Sequence, residues 1–323
     1  MHDITIIGAG VAGLFAAHEL SLRGLRPRIL DRNGPPGPHG CSWWAGGMLA
    51  PHCEGVTTEP VITRLGAQAA DAWAQVTTVT RQGTLVIALD RDRADLARFA
   101  RRAEVHQTLD APALATLEPD LATHRHGLFF PSEAHLDPRR ALVDLVASLQ
   151  RRGISIERAT ADPDAITGPL IDARGMAAPV SDLRGVRGEM VLLHAPDIIL
   201  TRPVRLLHPR HPLYIVPRGE GVYMLGATQI ESSARHPVTA RALLELLSAA
   251  YALDTRFAES RVLETGADLR PAFPDNIPRV TVRGRVLHLN GLFRHGYLMA
   301  PALARQAADY LTSRTKGELV HED

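Results

Sequence analysis

At 323 residues and 45% hydrophobic content, the chain can bury a substantial core as one large domain or two interleaved ones. A net charge of +1 without a basic block excludes the electrostatic footprint of a nucleic-acid binder or of a protein held on an anionic membrane surface. The sole lysine, Lys316, lies in the polar tail, which excludes a Schiff-base pyridoxal phosphate enzyme and a P-loop protein, since both need a lysine at the bound group.

In chain order, Ile4-Thr5-Ile6-Ile7 reads as a strand that runs into Gly8-Ala9-Gly10-Val11-Ala12-Gly13 and then an apolar helical pattern. Gly8 permits the tight turn, Gly10 lets a pyrophosphate approach the backbone, and Gly13 lets the helix pack closely on the strand. The phosphates then meet the helix N-terminus at Val11 and Ala12. A second strand, Arg28-Ile29-Leu30, closes on Asp31, eighteen residues after Gly13. A carboxylate there accepts hydrogen bonds from a ribose 2′-hydroxyl and argues against a 2′-phosphate; Arg32, next in the chain, is taken with it as a cofactor contact. These residues leave FAD and NAD both open. Met1-His2-Asp3 lacks the basic start of a secretory signal. The longest uncharged apolar run, Ile4 to Ala17, is 14 residues and contains the glycine turn, too short to cross a bilayer. A cytoplasmic protein is expected.

The stretch from Gly40 to Pro51 holds Cys41, Ser42, Trp43, Trp44, Ala45, Gly46, Gly47 and Met48, and is too apolar for an ordinary exposed connection. Either something flat and partly apolar lies on it, or it is a buried loop in which Gly46-Gly47 merely turns the chain. Cys41 and Cys53 lack C-x-x-C spacing and read as reduced, inert thiols rather than a disulfide or a zinc cluster. Farther on, Thr84 to Leu89 reads as a strand and Arg91 to Glu104 as a charged helix. Pro138 to Arg152 reads as an amphipathic helix capped by Asp137, with Pro138 in its first turn. Pro169 to Asp172 is a short strand before a turn at Gly175, and Val186 to Leu193 begins a second sheet. Leu213 to Arg218 and Val222 to Thr228 form a hairpin of that sheet. Helices are expected at Ala240 to Ala252 and Ala300 to Ser313. Between them the strand Val286 to Asn290 leads into the loop Gly291-Leu292-Phe293-Arg294-His295-Gly296-Tyr297-Leu298-Met299-Ala300-Pro301, a second cofactor contact.

Together these pieces resemble the D-amino acid oxidase-like FAD-dependent oxidoreductases, with the glycine oxidase branch of thiamine biosynthesis nearest. The segments that carry the likeness are the fingerprint with Asp31, Ala45 to Pro51, Tyr214 to Arg218 with Gly226-Ala227-Thr228, Asp268-Leu269-Arg270-Pro271, and Gly291 to Pro301. The resemblance implies an α/β fold in which a Rossmann-like FAD-binding domain of the glutathione reductase type is interleaved with an antiparallel-sheet substrate domain. Residues 1–75, 135–190 and 260–323 would form the first, and 76–134 and 191–259 the second. It decides for FAD, held non-covalently by Gly8 to Gly13, Asp31 and Arg32. Gly46 to Met48 would lie near the isoalloxazine and the Gly296 turn near the ring's other edge, with Ser42, Ala45, Arg294, His295, Tyr297 and Leu298 also among the cofactor contacts. It also places Arg270 on a substrate carboxylate with Tyr214 assisting, and Arg294 as the second candidate. The guanidinium fork suits that role, and Pro271 holds Arg270 extended.

The implied reaction is oxidative deamination of glycine or another small amino acid or amine. The free amine assists hydride transfer from Cα to the flavin, and no side-chain base is obligatory. Oxygen would accept the electrons and give hydrogen peroxide; the imine would hydrolyse to glyoxylate and ammonia or pass to a thiazole synthase. Alternatives are a dehydrogenase or D-amino acid oxidase that serves another electron acceptor, and a non-catalytic FAD-binding subunit; homo-oligomerisation stays open. Trp43 and Trp44 stand where relatives carry small residues, and the region 155–178 is short, so either can alter the pocket. An indole facing inward favours the smallest substrates, whereas one facing outward fills a core or a subunit contact.

Overall fold

Ile6 and Ile7 are buried, as expected of a parallel strand covered on both faces, and the strand they form, β1 (Thr5–Ile7), is central in its sheet. The structure, a computed structural model, describes residues 4–210 and 212–322; the Met1-His2-Asp3 start lies outside them. From β1 the chain turns at Gly8, whose φ of +107° is open to glycine, into α1 (Val11–Leu22). It returns as β2 (Arg28–Asp31), parallel to β1. The helix is buried on nearly all sides, between Gly296–Ser313 and Pro138–Arg151. A Cβ on Gly13 would collide with the Gly8 carbonyl oxygen, so the close approach of helix to strand requires glycine there.

Among the described residues the nucleotide sheet runs Ile156–Arg158, β2, β1, Leu170–Asp172, Val286–Asn290, Arg279–Arg283, Val320–Glu322. The Arg279–Arg283 and Val286–Asn290 pair is antiparallel and the other pairings are parallel. Among the described residues the second sheet gathers nine strands, with the Leu213–Pro217 and Val222–Gly226 hairpin at its middle and the helix Ala240–Leu253 against its apolar face. The α/β class and the interleaving of two sheets stand as expected.

Several local expectations are corrected. Arg184–His194 lies wholly in the second sheet and pairs along its length with a twelve-residue strand, Arg261–Ala272, that the sequence pattern does not announce. Residues 184–190 and 261–272 therefore belong to the second sheet, not to the nucleotide-binding parts ending at 190 and starting at 260. That sheet is also not purely antiparallel, because Val204–Leu207 runs parallel to Thr84–Ala88. Within the apolar loop, Met48–Leu49 pairs with Ala134–His135 as a short ribbon. The last helix begins at Gly296 rather than Ala300 and carries Pro301 inside it. Proline cannot donate to the carbonyl four residues back, and that carbonyl, of Tyr297, instead accepts 2.8 Å from Trp73 Nε1. Asp137 caps its helix as read, accepting from the amides of Arg139 and Arg140.

Gly13→Ala should destabilise the chain by about 1–3 kcal/mol, the usual cost of overpacking, with weakened cofactor retention because the strand–turn–helix unit shifts. Denaturant melts of the two proteins check it; an unchanged midpoint would show that α1 can withdraw from β1 without loss.

Candidate active site

One cavity opens at the carboxyl ends of β1 and β2 and extends beneath the second sheet. At its nucleotide end Gly8, Gly10, Val11 and Ala12 form the floor, and a Cβ on Gly10 would meet only Ser42 Oγ, at 3.4 Å. The Val11 amide donates 3.1 Å to the same hydroxyl. Asp31 is fixed by two amides, Ala9 N to Oδ2 and Asn33 N to Oδ1, each 2.8 Å, which leaves lone pairs on both oxygens for ribose hydroxyls. Arg32 stands beside it on the wall. The short 155–178 region contributes Ala159, Thr160 and Ala161 to the wall, close to Asp31, whose carbonyl accepts from the Ala159 amide. It therefore shapes the nucleotide end.

The apolar loop is held from the opposite sheet. Arg218, just past the strand Leu213–Pro217, donates to Leu136 O at 3.0 Å, Ala45 O at 3.2 Å and Gly46 O at 2.9 Å. Burial pushes this guanidinium down to about 10, still charged at neutral pH. The Tyr214 ring lies against Gly46 and Gly226, where a Cβ on either would approach to 2.9 Å. Tyr297 lines the cavity but is almost wholly buried; its hydroxyl lies 3.0 Å from Ser42 O and its ring stacks on Trp73. Both indoles of the Trp43-Trp44 pair line the cavity. Arg139 lies over each ring, at 5.0 and 5.2 Å, and Trp44 fills the space that a side chain on Gly266 would take.

At the opposite end of the cavity the arginines differ in what they hold. Arg294 is engaged: Nε lies 2.9 Å from Glu54 Oε2 and Nη2 donates 2.6 Å to Thr57 Oγ1. Arg235 pairs with Asp268 at 2.9 Å. Arg270 has no carboxylate partner among the described residues; Nη1 donates to Thr228 O at 3.0 Å, and its guanidinium lies on the bare backbone of Gly188. Burial would raise the Glu54 carboxyl, but Arg205, Arg294 and His295 outweigh it and hold the acid well below the carboxylate range. Burial pushes His295 down to about 4, so its ring is neutral at pH 7. Burial likewise lifts the Cys41 thiol to about 12, consistent with an inert cysteine.

A family model described as FAD dependent oxidoreductase (DAO) matches residues 3–310. The chain belongs to this family of FAD-dependent oxidoreductases. It is 50% identical over 311 residues to a candidate thiamine biosynthesis oxidoreductase, ThiO, of Rhizobium etli, covering 94% of this chain and 95% of that one. With the glycine oxidase of Pseudomonas aeruginosa it shares 26% identity over 359 residues, covering 96% of this chain and 95% of the other. The crystal structure of glycine oxidase from Geobacillus kaustophilus matches with a TM-score of 0.84 at 22% identity, covering 98% and 96% of the two chains, a likeness of fold.

The residues present fit the family's FAD. The glycine floor at Gly8 and Gly10 admits a phosphate chain, Asp31 keeps free lone pairs, and Ala45 to Met48 with Tyr214 form a wall suited to a flat ring. Of the residues singled out from the sequence, all but Gly13 line the cavity, including Leu298 and Gly296; Gly13 acts through packing instead. Sequence reasoning missed Arg218, Glu54, Arg205 and the Arg235–Asp268 pair. Arg218 lies inside a segment that carries the family likeness, yet no local signal separates it from the chain's other arginines.

Arg218→Ala should leave buried carbonyls at Leu136, Ala45 and Gly46 without a donor, costing on the order of 3 kcal/mol in stability and loosening FAD retention. Arg218→Lys should recover part of this, since an ammonium has donors but not the planar spread. Thermal melts with fluorescence of released flavin read both, and full retention of FAD in the alanine variant would contradict the assignment.

Proposed function

We propose that this enzyme oxidises glycine or a similarly small amino acid to its imine in thiamine thiazole formation. The observation that carries the reading is Arg270: at the substrate end it is the cavity-lining guanidinium without a carboxylate of its own among the described residues. A bidentate fork on the substrate carboxylate would fix Cα, with the Tyr214 hydroxyl, which has no hydrogen-bond partner among the described residues, free to assist. Bound FAD supplies the hydride acceptor. The chain's own work is to orient the amine in its neutral form, exclude water with Trp43, Trp44 and Met48, and hold the loop rigid through Arg218. Oxygen is the proposed terminal acceptor, giving hydrogen peroxide. The proposed fate of the imine is hydrolysis to glyoxylate and ammonia or capture by a thiazole synthase, in keeping with the ThiO name of the Rhizobium etli relative. The proposed site of action is the cytoplasm; among the described residues no helix is long and apolar enough to cross a membrane.

Anaerobic addition of glycine should bleach the flavin band, and a panel of small amines that leaves it unchanged would sink the reading. Arg270→Ala should keep FAD yet lose about 2–5 kcal/mol in kcat/KM for carboxylate-bearing amines, with little rescue by Arg270→Lys. Near wild-type kcat/KM in the alanine variant would put the anchor elsewhere. Replacing Trp44 by Ala should shift selectivity toward larger amino acids by about 1–3 kcal/mol, read as a ratio of kcat/KM values; an unchanged ratio would mean that the indole only supports the wall.

A further inference from the structure

Glu54 sits on the turn Pro51–Gly55 directly after the cofactor loop, 8% exposed and on the wall of the same cavity as Arg270, Tyr214 and Arg294. One oxygen pairs with Arg205, which reaches in from the strand Val204–Leu207 of the second sheet. The other lies 2.9 Å from Arg294 Nε and 3.3 Å from His295 Nδ1. Arg205 also lies in the field of Glu133, so it retains a negative neighbour apart from Glu54. The arrangement is costly to bury and does not touch the nucleotide end, so it calls for a reason at the substrate end.

We propose that Glu54 sets the charge specificity of the site: by occupying Arg294 and placing its own negative charge on the wall, it restricts the enzyme to amino acids with a single acidic group. The argument rests on the reading of Arg270 as the carboxylate anchor. A substrate with one carboxylate meets one available guanidinium. A second carboxylate on the same ligand finds Arg294 and Arg235 already paired, with Glu54 and Asp268, and is repelled by those acids. Removing the Glu54 charge turns Arg294 into a second anchor. Glu54 is then a specificity residue that acts through Arg294.

The test uses inert ligands read by perturbation of the flavin spectrum in the purified holoenzyme: acetate with one carboxylate and malonate with two. The wild type should bind malonate more weakly than acetate. In Glu54→Gln the malonate-to-acetate affinity ratio should rise about ten-fold or more, and adding Arg294→Gln should cancel the rise. With reactive ligands, the gain for iminodiacetate over glycine should fall in KM rather than kcat. If Glu54→Gln does not hold FAD, Glu54→Leu combined with Arg205→Met replaces the buried pair by apolar volume and should show the same rise. Tighter malonate than acetate binding in the wild type, an unchanged ratio in the folded variants, or a rise that survives Arg294→Gln would each overturn the proposal. A wild type that binds acetate but oxidises no amine would defeat the proposed reaction while leaving this titration readable.

Discussion

The buried Arg218 guanidinium, spread over three carbonyl oxygens, is the contact on which the geometry of the site depends. It joins the end of a second-sheet strand to the apolar loop at Ala45 and Gly46 and to the segment leading into the helix Pro138–Arg151. No acid neutralises it through an ion pair among the described residues, and burial depresses it while leaving it charged. Its stabilisation comes from charge-assisted bonds to fixed dipoles. Tyr214, on the strand that Arg218 follows, lies against the same Gly46 whose carbonyl Arg218 holds.

Arg270 is positioned by a longer relay. Its Nη1 donates to Thr228 O, and Thr228 is fixed by Glu189, whose amide donates 3.0 Å to Thr228 Oγ1 and whose carbonyl accepts from the Thr228 amide. Glu189 is bonded in turn by Arg187, which also donates to the carbonyls of Ala234, His236 and Pro237. Arg187 and Glu189 are almost completely buried and close this network internally. To serve as the proposed carboxylate fork, Arg270 must be held in one plane before substrate arrives, or the entropy of ordering it is lost from binding. The network supplies that order, and Gly188 supplies the room.

What could be read from the sequence was local. Gly8, Gly10, Gly13 and Asp31 act within one strand–turn–helix–strand unit, and Asp137 with Pro138 marks a helix start by chemistry confined to four residues. The start at Gly296 was hidden because Pro301 suits the first turn of a helix, and the donor it lacks inside one is supplied by Trp73, which lies 224 positions from the carbonyl it satisfies. The strand Arg261–Ala272 was hidden because its exposed, charged first half and Pro271 do not alternate, and its register comes from Arg184–His194 alone. Arg294 was legible as a residue near the cavity but not as an engaged one, since Glu54 and Thr57 approach it from 237 or more positions away.

The two ends of the cavity are therefore built from different materials. The nucleotide end uses backbone: glycines without a Cβ, amides on Asp31, and a helix N-terminus. Those features are bound up with the packing of α1 on β1, so changes there act on stability and cofactor retention together. The other end uses side-chain ion pairs: Glu54, on Pro51–Gly55, with Arg205 of the second sheet and with Arg294, and Asp268 with Arg235. On the proposed reading, these pairs set the sign and number of free charges facing the ligand. On that reading, exchange of one member would change which acid groups are accepted, whereas the nucleotide end is held by contacts that involve none of these ion pairs.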